Sequence, residues 1–166
     1  MSDTMIAESG HGDQSVDEAR SQYVTFAVDD RHYGIEITKI REIKAWSEPT
    51  ELPNSPAAMR GVLNLRGVIV PIFDLRARFG QGATEACGEH VVIIVALRGS
   101  LIGVLVDAVS DILALEPSEV LPVPTMDGGA DQRFLSGLVS RDDRLVALLK
   151  LEELFSIEDV PSALSF

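Results

Sequence analysis

Gly61-Val-Leu-Asn-Leu-Arg-Gly-Val-Ile-Val-Pro-Ile-Phe-Asp-Leu75 carries two apolar runs, Val62 to Leu65 and Val68 to Phe73, separated by the pair Arg66-Gly67. The simplest fold for such a stretch is two antiparallel strands joined by a tight turn, with Gly67 taking φ > 0 at little steric cost. Asn64 and Arg66 are then the polar residues of an otherwise apolar hairpin, and the guanidinium sits at a rigid tip where it can meet a partner. Pro71 has no N–H to give to a strand ladder, so the second strand is expected at a sheet edge or a bulge. Nothing in the hairpin is catalytic in character.

Upstream, strict alternation begins at Tyr23: Tyr23, Thr25 and Ala27 point one way while Val24, Phe26 and Val28 point the other. Asp29-Asp30-Arg31 makes a turn, His32 to Ile37 returns as a second strand, and Ile40 to Trp46 reads as a third, closed by Glu48-Pro49. Pro53-Asn54-Ser55-Pro56 is punctuation, followed by a short helical turn over Ala57 to Met59. Beyond the hairpin, Phe73 to Gly80 reads as a short helix stopped by glycine, and the small, polar, Gly-rich segment 81–89 reads as a linker.

After the linker the pattern repeats. At an offset of 69, Tyr23, Phe26, Val28, Ile35, Ile37, Ile40 and Ile43 fall on Val92, Val95, Leu97, Val104, Val106, Val109 and Ile112. At an offset of 76, Val62, Val70, Ile72, Leu75 and Phe79 fall on Leu138, Val146, Leu148, Leu151 and Phe155. The difference between the offsets places a seven-residue insertion among Pro117 to Arg133. Such self-similarity implies duplicated units of one architecture. Each unit offers about five short strands and a short helix, and closing them hides the sheet edges, so the expected fold is mainly β with two small five-stranded barrels. The expected units are 21–80 and 90–155, with some core shared between them. Where the first copy reads Asn64-Leu65-Arg66-Gly67, the second reads Ser140-Arg141-Asp142-Asp143, so the architecture itself does not require an arginine-glycine turn. Asn64 and Arg66 therefore belong to a task that only the first copy performs.

Composition narrows the function. The formal charge of −12 opposes binding to nucleic acid or directly to anionic lipid. Residues 1 to 20 hold five acidic residues against Arg20 alone and read as a disordered tail; removing their −4 from −12 leaves −8 on the remainder. The longest apolar runs are too short to span a bilayer, the N-terminus lacks the pattern of a signal peptide, and a single cysteine, Cys87, allows no internal disulfide. A cytoplasmic protein is the expectation.

Catalytic constellations are thin. Cys87 and His90 lie three apart and offer a thiol nucleophile or half a metal site, which without further ligands is short of the four that structural zinc takes. Gly80-Gln81-Gly82 follows a helical segment and is no dinucleotide fingerprint, and Asp127 to Asp131 lacks the closing glutamate of a calcium loop. No cofactor is expected. Strand edges and barrel grooves suit recognition of a helix or another barrel through a few apolar anchors with a charged rim. Ile40 and Glu42, Arg66, and Met126 in the insertion are the candidate contacts.

Several stretches together resemble the CheW family of bacterial chemotaxis coupling proteins: Tyr33-Gly34-Ile35-Glu36-Ile37 with Ile40-Arg41-Glu42-Ile43, Gly61 to Arg76, Gly103-Val104-Leu105-Val106-Asp107, and Phe134-Leu135-Ser136-Gly137-Leu138. The similarity spans about residues 20 to 157, leaving 158–166 as a C-terminal tail after a terminal helix. It implies a single domain of two intertwined five-stranded barrels that acts as a non-enzymatic adaptor. By the same resemblance, the adaptor links the cytoplasmic tips of methyl-accepting chemoreceptors to the regulatory domain of the histidine kinase CheA. It is implied to be a monomer when free and to reach membrane-associated receptor arrays through its partners. By similarity Ile40, Glu42, Arg60, Gly61, Arg66, Val91, Val92 and Ile112 fall where the family contacts receptor or kinase, with Asn64 beside them in the motif. Leu121 to Met126 falls where the family makes a second, ring-closing kinase contact; the family often carries a basic residue and an aromatic there, and this chain has Leu121 and Met126. An adaptor of a parallel receptor–kinase pathway is the alternative of the same class, and a thiol or metal enzyme using Cys87 and His90 is the rival from another.

Overall fold

The computed structural model describes residues 20–55, 58–124 and 134–155. The acidic stretch apart from Arg20, the C-terminal tail 158–166 and Met126 lie outside the described residues. Among the described residues ten strands run in chain order: β1 Ser21–Val28, β2 Arg31–Glu36, β3 Ile40–Ala45, β4 Met59–Leu65, β5 Val68–Asp74, β6 Val91–Leu97, β7 Ser100–Val106, β8 Ala108–Leu115, β9 Leu135–Arg141 and β10 Arg144–Leu149. Two single-turn helices, α1 (Leu75–Arg78) and α2 (Leu151–Leu154), follow β5 and β10.

The strands form two five-stranded sheets, ordered β8-β1-β2-β10-β9 and β3-β6-β7-β5-β4. The two five-stranded units expected from the sequence are present and intertwined. Each takes strands from both repeats: β1 and β2 join β8 to β10, and β6 and β7 join β3 to β5. The joins are the two parallel pairings, β2 with β10 and β5 with β7.

Register confirms the duplication residue by residue. Leu148 opposite Gly34 in the first sheet repeats as Ile72 opposite Gly103 in the second, at the offsets of 76 and 69. A Cβ at Gly34 would stand 3.0 Å from a Leu148 methyl, and one at Gly103 would overlap Ile72, so the parallel join leaves no room for a side chain. The bulge after Ile40 in the β3–β6 pairing recurs between Thr25 and Phe26 in the β1–β8 pairing. The bridge from Thr50 to Val62 recurs from Leu121 to Leu138. Thr50 to Leu121 is an offset of 71, two more than 69, so two of the seven inserted residues lie before Leu121 and five after it.

Alternation along the strands sorts side chains into three cores. On β6, Ile93, Val95 and Leu97 face a core shared by the two sheets, while Val92 and Ile94 fill the second barrel with Leu65, Val70, Ile72 and Leu105. The first barrel is filled by Leu115, Val139, Val146 and Leu148. The shared core is the largest, and its aromatic centre includes Phe73 and Phe155, with ring centroids 5.0 Å apart. Removing one such ring costs about 3–5 kcal/mol.

Three expectations are corrected. Pro71 is buried on β5, an interior strand. It is tolerated because the pairing with β7 runs only from Ile72 to Asp74, so Pro71 lies just outside that ladder. Met59 opens β4 instead of ending a helical turn, while Pro56 and Ala57 are outside the described residues. The linker is not loosely held, because Thr84 is buried against Asp74.

Candidate partner-binding site

The β4–β5 turn places both Arg66 (φ 52°) and Gly67 (φ 90°) in the left-handed region. That combination defines a type I′ turn, whose twist matches the flanking strands. Asn64 is spent on this geometry: its Oδ1 accepts the Gly67 N–H at 2.8 Å. Arg66 is free to project, with its side chain 75% exposed, and its Nη2 donates to Glu42 Oε1 at 2.8 Å. Because β3 and β4 are the end strands of the second sheet, this ion pair spans the gap between them. The hydrogen bond from Arg66 holds the Glu42 carboxyl below its ordinary value. At the matching offsets the first barrel has Asp111 and Asp142, two like charges, so it lacks this pair.

Arg60, another expected contact, is engaged within the fold. Its Nη1 donates to Asp74 Oδ2 at 3.1 Å and to the Thr84 carbonyl at 2.7 Å, and its guanidinium lies 5.4 Å from the Trp46 ring centroid. Asp74 is fully buried and also accepts from the Thr84 N–H and hydroxyl and from the N–H groups of Arg76 and Ala77 at the start of α1. A buried carboxylate needs such a complement of donors. Gly61 is buried with φ 142°, and a Cβ there would overlap the Thr50 carbonyl.

The apolar candidates separate into two groups. Ile40 and Val91 are half-buried against the shared core. Ile43 lies opposite Ile93 on that face of the second sheet, and Ile112 lies opposite Val24, on the Phe26 side of the first; they are 43% and 53% exposed. Ile40, Ile43 and Val91 thus lie on the shared-core face of the second sheet and Ile112 on that of the first, while Glu42, opposite Ile94, points to the other face of β3. Ile43 was not singled out from the sequence, although its match to Ile112 at an offset of 69 was a usable signal. Val68, next to the turn and 47% exposed, was also missed. Val92 is fully buried inside the second barrel, so its side chain offers no surface. The run Val91 to Leu97 is apolar on both faces, which hides the inward face from sequence reading. Leu121 is 47% exposed and bridges to Leu138 at the rim of the first barrel.

The structure adds a third group to Cys87 and His90. Cys87 Sγ lies 3.4 Å from His90 Nδ1, and His90 Nε2 lies 3.6 Å from Asp107 Oδ1. Among the described residues no cluster of three or more His, Cys, Asp or Glu side chains is arranged to hold a metal.

Fold and site together define a β-rich scaffold of two intertwined barrels that presents an arginine-tipped turn and exposed isoleucines on its edge strands. Residues 22–159 match the family model of the CheW-like domain, and the chain belongs to that family. It is 37% identical over 143 residues to a probable chemotaxis protein CheW of Rhizobium etli, covering 86% of this chain and 92% of that one. The chemotaxis protein CheW of Klebsiella aerogenes is 35% identical over 139 residues, 84% of each chain. The crystal structure of the scaffolding protein TtCheW from Thermoanaerobacter tengcongensis superimposes with a TM-score of 0.76 at 30% identity, covering 84% of this chain and 90% of that one.

Proposed function

We propose that this protein is a non-enzymatic chemotaxis adaptor that couples the cytoplasmic tips of methyl-accepting chemoreceptors to the regulatory domain of a CheA-type histidine kinase. The observation that carries the reading is the Glu42–Arg66 pair spanning the end strands of the second sheet, with Ile43 and Ile112 exposed on the edge strands β3 and β8, in the fold of a scaffold family. Exposed apolar anchors together with a charged pair suit an amphipathic helix, the form in which i, i+3, i+4 anchors are presented. Arg66 supplies the fork for a partner carboxylate, and Glu42 holds that fork extended until the partner arrives. Leu121 is a separate contact at the far barrel, for the kinase. No helix among the described residues is long and apolar enough to cross a membrane; in this reading the partners bring the protein to receptor arrays.

The test is autophosphorylation of the kinase mixed with a receptor cytoplasmic fragment, with and without this protein. Receptor-dependent kinase activity should appear only with the wild-type chain. Arg66→Ala should keep the fold and weaken partner binding by about tenfold or more, as loss of an interface anchor does. Kinase activity indifferent to the protein would overturn the assignment of these partners and direct the search to a different receptor–kinase pathway.

A further inference from the structure

We propose that Cys87, His90 and Asp107 form a reactive-thiol relay, which makes Cys87 a site of oxidation by peroxide and of capture by soft electrophiles. The loop geometry is fixed from several sides. The His90 N–H donates to the Cys87 carbonyl at 3.0 Å, closing a turn, and the His90 carbonyl accepts the Trp46 N–H at 3.0 Å, which continues the β3–β6 ladder to the histidine. The imidazole folds back over the turn, so that Nδ1 accepts the Cys87 N–H at 3.0 Å and faces the thiol sulfur at 3.4 Å. A nitrogen that accepts a backbone N–H carries a lone pair, so the ring's proton belongs on Nε2, the nitrogen facing Asp107. Asp107 is itself held, its Oδ2 accepting the Asp29 N–H at 2.8 Å. The order thiol, basic nitrogen, ring N–H, carboxylate is the arrangement that activates a nucleophile through an adjacent base oriented by a third group. Cys87 is exposed, while the His90 side chain is only 18% exposed, so the sulfur is accessible and its base is sheltered.

The chemistry balances. The thiol proton passes to His90 Nδ1, whose lone pair gives up the Cys87 N–H to take it, and the charge that appears on the imidazole faces the Asp107 carboxylate. The sulfur then attacks one oxygen of hydrogen peroxide; an S–O bond forms as the O–O bond breaks, and the departing hydroxide takes the proton from His90 as water. Sulfur is oxidised by two electrons to a sulfenic acid and peroxide is reduced. With iodoacetamide the same sulfur forms an S–C bond and iodide leaves.

Cys87 is the only cysteine in 166 residues, so the mass of the whole protein reports its reaction directly. The full-length chain is treated with iodoacetamide, and separately with hydrogen peroxide followed by a sulfenic-acid trap, at neutral pH. The native protein is expected to react about tenfold faster than the same protein unfolded in urea, and His90→Gln should remove that advantage. Added imidazole should restore part of it in His90→Gly, which a purely structural histidine would not allow. Asp107→Asn keeps an acceptor for the Asp29 N–H but loses the charge, and should slow the reaction several-fold, whereas Asp107→Glu should recover it. Equal rates for native and unfolded wild-type protein would overturn the proposal irrespective of how the variants fold, as would an undiminished rate in a folded His90→Gln protein.

Discussion

Asp74 shows how much one buried charge can organise. It caps α1, fastens the segment at Thr84 and anchors Arg60 over Trp46. Replacing it with alanine strands a partly buried guanidinium and several backbone donors, and should cost about 3–5 kcal/mol, measured as a fall in the urea midpoint at unchanged slope. The exposed pair of Lys39 Nζ and Glu152 Oε2, at 2.6 Å, is a smaller matter. Their hydrogen bond raises the Lys39 pKa and lowers that of Glu152. The glutamate's contribution is present above its unfolded value and is lost as pH falls through its depressed folded value. The lysine's is present below its unfolded value and is lost as pH rises through its raised one. Lys39→Met should therefore lose about 0.5 kcal/mol between roughly pH 5 and pH 10, converging on the wild type outside that window when urea midpoints are compared across pH. Asn64 and Arg66 stood out in the sequence because the second repeat lacks them. The roles of Asp74 and Arg60 did not, since their partner Thr84 sits in a segment whose composition looks like a linker.

Turns and strand joins tell the same story one level up. Arg66-Gly67 and Asp142-Asp143 occupy equivalent turns, and both central residues of each have positive φ. Asp143, at φ 63°, stands where the first copy has glycine. Asp143→Gly should raise thermal stability, by about 0.5–1 kcal/mol at the melting temperature, because glycine meets no Cβ penalty there. The opposite result is expected at Gly61, where alanine meets both the left-handed backbone and the Thr50 carbonyl. Gly61→Ala should cost about 2 kcal/mol or more, read from the same melting curves. Strand number and type were legible because period-two alternation and turn residues are local signals. The fate of Pro71 was not legible, since it depends on where β7 begins to pair with β5. Nor was the depth of Val92, since a run apolar on both faces has no alternation to read.

The exchange of strands between repeats sets the behaviour of the whole chain. Duplication was readable from two gapless offsets, but each repeat's pattern is satisfied equally by closing on itself or by lending strands to its twin. Only the two parallel joins reveal which occurs. Neither half of the chain, cut within 85–89, should fold alone, because each barrel would lack two or three strands. Mixed together, the halves should give one cooperative transition by circular dichroism, and stable separate halves would contradict the exchange. The same topology has a consequence for synthesis. All five strands of the second sheet lie between Ile40 and Val106, whereas the first sheet joins Gly34 to Leu148. A chain still emerging from the ribosome can complete the barrel that bears Arg66 well before the other. Meanwhile β1 and β2, the first strands made, wait unpaired on one edge for the last to arrive, and that interval is when a growing chain is most open to proteases and chaperones.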